Sequence, residues 1–251
     1  MIVGYILAAL GGLVLSAPVN LLADVLPRRS SSLEPDVADM PPDGAGPEGR
    51  PVSRYIAVAV LLGILVAYLW GREGLSPRFV ALVLYMAVFT LIGIIDIEHR
   101  LILTSVILPG FAISFLEVVL AGRLHLLDAL TGYAIAQIIV LTFYLFGEVY
   151  LRFINRGRPA DERVEEVAFG FGDVSLATLC GFIVGFPRVV PMLILMVLTG
   201  AALALLYLAG RAILRRGYTA YTALPYGPAI LIAATMMLLW GPEMARLFGA
   251  Q

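Results

Sequence analysis

Two carboxylates in this sequence stand where long apolar stretches end or begin. Asp96 closes the apolar run before 97-IEHR-100, and Asp173 follows Gly170 and Gly172 at the head of 174-VSLATLCGFIVGFP-187. An ionisable group inside a membrane-like profile is costly, so it points to function. Two carboxylates held together cannot both ionise cheaply; they share one proton and titrate as a unit. The ionised member can draw a proton from water while the protonated member polarises a carbonyl or protonates a leaving amine. That pair suffices for peptide hydrolysis and calls for no metal, no cofactor and no nucleophilic side chain. The plainer alternatives are an N-cap role for Asp173, accepting from the first free N–H groups of its helix, and a surface position for Asp96 beside Glu98, His99 and Arg100. Gly170 and Gly172 can adopt positive φ and admit another backbone, which suits an extended peptide held beside Asp173.

The elements that must carry these groups are membrane helices. The 251 residues are 61% hydrophobic and their mean hydropathy is +0.95. A soluble domain is nearer ~45–50% apolar, and one water-soluble core cannot hide the excess. The net charge of −1 makes no case for a nucleic-acid partner, and all 17 basic residues are arginine. The single cysteine, Cys180, excludes an intrachain disulfide and a cysteine-based zinc cluster, and sits in an apolar run as a small packing residue. The first twenty residues have no basic n-region, so they are expected to stay as a span and not to be cleaved as a signal peptide.

The fold expected is an all-α polytopic membrane bundle of about eight transmembrane helices, at 2–26, 55–71, 77–95, 102–121, 126–149, 174–187, 189–210 and 225–241. It forms a single membrane-embedded domain over 1–251. Residues 28–54, rich in Pro, Gly, Ser and acids, read as a flexible linker, and 150–169 as a charged loop. Twelve of the 17 arginines fall in the first, third, fifth and seventh loops, which places those loops in the cytoplasm and both termini outside. Asp96 and Asp173 then lie on the same, cytoplasmic side. Fifteen residues separate Asp173 from Arg188, a reach of ~22 Å as helix against a hydrocarbon layer of ~30 Å. With Arg188 at the outer interface, Asp173 is recessed below the cytoplasmic surface. Irregular backbone at that depth must be surrounded by protein or line a wet cavity.

At these residues the sequence resembles the prepilin peptidases, the type IV leader peptidase family of Gly-x-Gly-Asp membrane aspartyl proteases. The stretch 96-DIEHRLILTSVILPG-110 is similar to the family's first catalytic segment and 170-GFGDVSLATLCGFIVG-185 to its second. The stretch 15-LSAPVNLLADVLP-27 resembles the opening helix, and 224-LPYGPAILIA-233 the last. The resemblance implies that Asp96 and Asp173 are the catalytic aspartates. It implies a substrate with a short basic leader followed by an apolar helix, a prepilin or pseudopilin, cut after a glycine at the cytoplasmic face of the bacterial inner membrane. Many family members also methylate the new N-terminus with S-adenosylmethionine. The family's Cys-x-x-Cys pairs are missing here, since 28–54 contain no cysteine. No methyltransferase activity and no cofactor are therefore expected. Ser175 stands where the family usually has Lys, and Leu103 and Thr104 where it has Pro and an acid or amide.

Other residues support this reading. Glu98, Asp161, Glu162, Glu165 and Glu166 lie on the catalytic side and could attract a basic leader, or simply form a solvated face. His99 is three residues from Asp96, near enough on a helix to touch it. Pro225, Gly227 and Pro228 should break the start of the eighth helix and could hold a substrate strand; the alternative is an ordinary helix start with Pro in the first turn. Gly181 and Gly185 permit close helix approach and fit a sixth helix packed on the third. A proton-coupled transporter would also carry buried acids and broken helices, with a midplane site and an internal repeat. A noncatalytic homologue in pilus or secretion assembly is the third possibility. The oligomeric state is not legible.

Overall fold

Ser76 and Pro77 start the helix that carries Asp96. The Ser76 hydroxyl accepts the Phe79 N–H at 3.1 Å, and Pro77 takes a first-turn position where its missing N–H costs nothing. A computed structural model of the chain describes residues 2–30, 52–122, 124–156, 170–213 and 225–247. Every element among them is α-helical, in the order α1 (Ile2–Ser30), α2 (Val52–Glu73), α3 (Pro77–His99), α4 (Thr104–Ala121), α5 (Leu126–Ile154), α6 (Phe171–Val184), α7 (Val189–Ile213) and α8 (Gly227–Leu247). Six of the eight are long and apolar enough to cross a membrane, while α4 and α6 are shorter apolar helices. The protein is a polytopic helical membrane bundle. Ile6, Leu7, Ile64, Leu120, Phe146 and Leu206 are among the many large apolar side chains left exposed. Water would not tolerate that much greasy surface, but lipid does.

The chain divides into two compact units, Met1–Arg123 and Leu124–Gln251. In the first unit α1 and α2 form an antiparallel pair that packs on α3, and α3 also packs on α4. On α2 the buried residues Val58, Leu62, Gly63, Val66 and Leu69 recur at helical spacing. On α1, Gly12 has no room for a side chain: a Cβ there would strike the Leu62 carbonyl and the Gly63 Cα. Small residues at such crossings let backbones approach and gain dispersion contact, which drives helix association in lipid. Between α3 and α4, the Tyr85 hydroxyl donates to Glu117 at 2.5 Å, both side chains being buried.

In the second unit α5 packs on α6 and α7, α7 packs on α8, and α6 also meets both α7 and α8. The α5–α6 seam is built from Ala129, Gly132, Ala136 and Val140 on α5, against Gly181 of α6 and its C-cap Gly185. The glycine pair expected to seat the sixth helix on the third therefore seats it on α5. Gln137 accepts from the Thr178 hydroxyl across this seam at 2.7 Å. The backbone N–H of Phe186 donates to the Asp128 backbone carbonyl at 2.9 Å, just past the C-terminal end of α6. Thr199 of α7 donates to the Ala229 carbonyl of α8 at 3.0 Å.

Several boundaries differ from those read in the sequence. The expected linker 28–54 is helical at both ends, since α1 continues through Ser30 and α2 begins at Val52; 31–51 lie outside the described residues. Likewise α5 continues to Ile154, and 157–169 lie outside. The sixth helix is 14 residues, Phe171–Val184, about 21 Å long. It stops at Gly185, whose φ of 72° breaks the helix before Pro187. Apolar composition alone could not mark that stop, because the apolar run continues through the turn.

Candidate active site

Asp96 lies in the last turn of α3 and is 4% exposed. A helix end leaves its final carbonyls without intrahelical donors. Here Arg100 adopts the left-handed conformation, with φ of 54°, and its N–H returns to the Asp96 carbonyl at 2.8 Å. This closes the helix one turn after the carboxylate. Glu98 and His99 occupy the same turn. Glu98 accepts from Arg54 at 3.0 and 2.9 Å, one contact to each carboxylate oxygen, so its charge is balanced within the chain. His99, the last helical residue, is half-buried. Leu103 and Thr104 begin α4, with the Leu103 carbonyl accepting from Val106 and Ile107 at 3.0 and 3.2 Å.

The second unit holds the other acid. Gly170 is the N-cap of α6, with φ of −84° and ψ of 158°, and Gly172 lies inside the first helical turn. Neither is among the positive-φ glycines of the described residues. The left-handed conformation expected of them is not what this backbone uses. Asp173, at the third helical position, accepts the Gly170 N–H at 2.9 Å, and its own N–H returns to the Gly170 carbonyl at 3.1 Å. The carboxylate thus does reciprocal capping work within its own turn. It uses an N–H upstream of the helix, where the simple N-cap alternative had it accept from the helix's own first donors. Ser175 donates to the Phe171 carbonyl at 3.2 Å. Phe171 packs edge-on against Tyr144 of α5 with ring centres 5.9 Å apart.

Pro225 and Tyr226 lie just before α8, which begins at Gly227 with Pro228 in its first turn. The Tyr226 carbonyl accepts from Ala229 and Ile230 at 3.0 and 3.3 Å, so the backbone is a regular helix start with proline where it is tolerated. The Tyr226 hydroxyl donates to the Met196 carbonyl at 3.2 Å, and its ring fills the space a side chain on Gly200 would need. In this unit α8 also packs on α6, the helix that carries Asp173. Asp161, Glu162, Glu165 and Glu166 lie outside the described residues.

Sequence reading missed Arg54, Asp24 and Tyr226. For Asp24 a signal existed: Ser16, Asn20 and Asp24 recur every four residues along an otherwise apolar helix, and Ser16 and Asn20 are buried. For Arg54 the signal was hidden by its place at the end of a polar stretch.

Comparison with known proteins bears on these motifs. Residues 82–205 match the model of the type IV leader peptidase family. A prepilin leader peptidase/N-methyltransferase of Xanthomonas campestris is 27% identical over 203 residues, covering 78% of this chain and 62% of that protein. Its counterpart in Pseudomonas putida is 28% identical over 194 residues, covering 76% and 60%. That of Stutzerimonas stutzeri is 26% identical over 193 residues, with the same coverage. The chain spans about three-fifths of the length of these curated relatives. No solved structure matches it. The matched stretch carries both aspartate motifs, on a polytopic helical chain, and over that stretch the chain is similar to the type IV leader peptidase family.

Proposed function

We propose that this chain is a membrane aspartic endopeptidase that removes the leader from prepilin-like or pseudopilin precursors. The observation that carries the reading is that the family match over 82–205 contains both Asp96 and Asp173, each in its quoted motif. In this reading the two carboxylates share a proton. The ionised one takes a proton from a water as its oxygen attacks the scissile carbonyl. The protonated one supports the carbonyl oxygen and then protonates the leaving amine. Gly170 contributes by holding Asp173 through its N–H. The substrate's apolar helix lies in lipid beside the bundle and presents its leader junction to a recessed, wet site. His99 and the segment with Pro225, Gly227 and Pro228 are the proposed substrate-facing residues. The site faces the cytoplasm of a bacterial inner membrane, with both termini outside, on the argument of arginine distribution. The methyltransferase activity in the relatives' names is not carried over, because residues 28–54 contain no cysteine.

Co-expression with a candidate prepilin tests the reading. Wild type is expected to shorten the precursor, while Asp96→Ala and Asp173→Ala leave it full length. Normal processing by both variants would remove the assignment. Mass spectrometry of the matured N-terminus should find an unmethylated amine.

A further inference from the structure

Arg54 ties together the ends of three helices. From the first turn of α2, its Nη1 donates to both oxygens of Glu98 on α3, at 3.0 and 2.9 Å, and its Nη2 to Asp24 Oδ1 on α1, at 2.8 Å. The second Asp24 oxygen accepts from the Tyr55 hydroxyl at 2.7 Å. The guanidinium carbon lies 4.5 Å from the centre of the Tyr55 ring. The Arg54 side chain is only 10% exposed. A planar guanidinium serving two carboxylates and an aromatic face is held in one geometry, which a single ammonium could not reproduce. An ordinary surface ion pair is exposed, screened and worth little; here the arginine side chain is 10% exposed, with Asp24 at 18% and Glu98 at 28%.

The cluster sits at the turn that matters for Asp96. Two residues advance about 200° around an α-helix, so Glu98 and Asp96 leave α3 on opposite flanks. Holding Glu98 to α1 and α2 sets the rotation of the last turn, and with it the direction of the Asp96 carboxyl. The left-handed Arg100 cap holds the backbone of the same turn. We infer that Arg54, with Asp24 and Glu98, is a positioning cluster that orients Asp96 for peptide cleavage. This rests on the peptidase reading above. It also gives Glu98 a role inside the chain in place of leader docking.

Kinetics of the purified full chain on a prepilin substrate test it, with Arg54→Ala, Arg54→Lys, Glu98→Ala and the double alanine variant, each checked for folding by thermal melting. A misaimed acid–base group affects the chemical step, so kcat should fall about tenfold or more in Arg54→Ala with KM held within about twofold. Arg54→Lys should recover only part, and the double variant should be no worse than the worse single one, as expected of groups acting as a unit. Wild-type kcat in folded Arg54→Ala, a loss confined to KM, or fully additive losses would each overturn the proposal. Full activity in Asp96→Asn would instead overturn the peptidase reading. A second measurement needs no activity. In a Cys180→Ala background, the thiol introduced by Asp96→Cys should react slowly with a maleimide. Adding Arg54→Ala should speed labelling about fivefold or more, because releasing the turn raises its local opening. An unchanged rate would overturn the clamp.

Discussion

Gly132 of α5 and Gly181 of α6 meet backbone to backbone. A Cβ on Gly181 would lie 2.7 Å from the Gly132 carbonyl oxygen and 2.5 Å from the Ala136 Cβ, and one on Gly132 would strike the Gly181 carbonyl. Since Asp173 lies in the first turn of α6, this crossing anchors the helix that presents the second acid. Backbone cannot yield as a flexible side chain does, so overpacking here costs about 1–3 kcal/mol. Gly181→Ala should therefore lower the thermal midpoint in detergent, and Gly181→Leu should lower it further. A midpoint unchanged in both would show that the helices do not cross at this pair.

Asp173 caps its own helix, and the proposed mechanism adds a second, chemical duty. Asp173→Asn keeps an oxygen that can accept the Gly170 N–H but removes the ionisable group. It should melt close to wild type while cleaving about a hundredfold to ten-thousandfold more slowly, the usual range for losing a general acid–base group. Asp173→Ala should lose the cap as well and melt lower by the equivalent of about 0.5–2 kcal/mol. Thermal melts and processing assays on the same preparations separate the two. Equal melting of both variants would mean that the hydrogen bond to Gly170 contributes nothing.

The Tyr85–Glu117 contact should be structural. Both side chains are buried between α3 and α4, far along α3 from Asp96. Tyr85→Phe keeps the ring and deletes one donor to a buried carboxyl, a loss of about 1–3 kcal/mol. Glu117→Gln keeps an acceptor and should cost less. Both variants should retain wild-type kcat once folded. A collapse of kcat without a fall in melting temperature would assign the pair to catalysis instead.

Topology can be read directly. The arginine distribution predicts that an epitope placed within 31–51 is cytoplasmic and that one placed at Arg123 is external. Protease protection of each tag in inverted and right-side-out vesicles checks this. A cytoplasmic tag at Arg123 would reverse the expected orientation and put the proposed site on the wrong face for a leader peptidase.

Much of this protein is legible in one dimension. Runs of about 20 apolar residues can satisfy their backbone in lipid only as helices, so the number and order of helices follow from hydropathy. Local chemistry sets several ends: Ser76 with Pro77 opens α3, and Pro228 sits in the first turn of α8. The two aspartates stand out because a carboxylate is conspicuous in so apolar a profile. The tertiary structure decided what each face meets. An apolar stripe in a membrane helix does not say whether lipid or another helix covers it, since both are greasy. Gly181 and Gly185 therefore announced a close crossing but not that α5 would occupy it. Arg54 and Glu98 are 44 residues apart in sequence, and no helical periodicity spans that distance. Only the packing of α1, α2 and α3 puts the guanidinium between Asp24 and Glu98, because that partnership depends on which helix ends converge and not on the local sequence at either end.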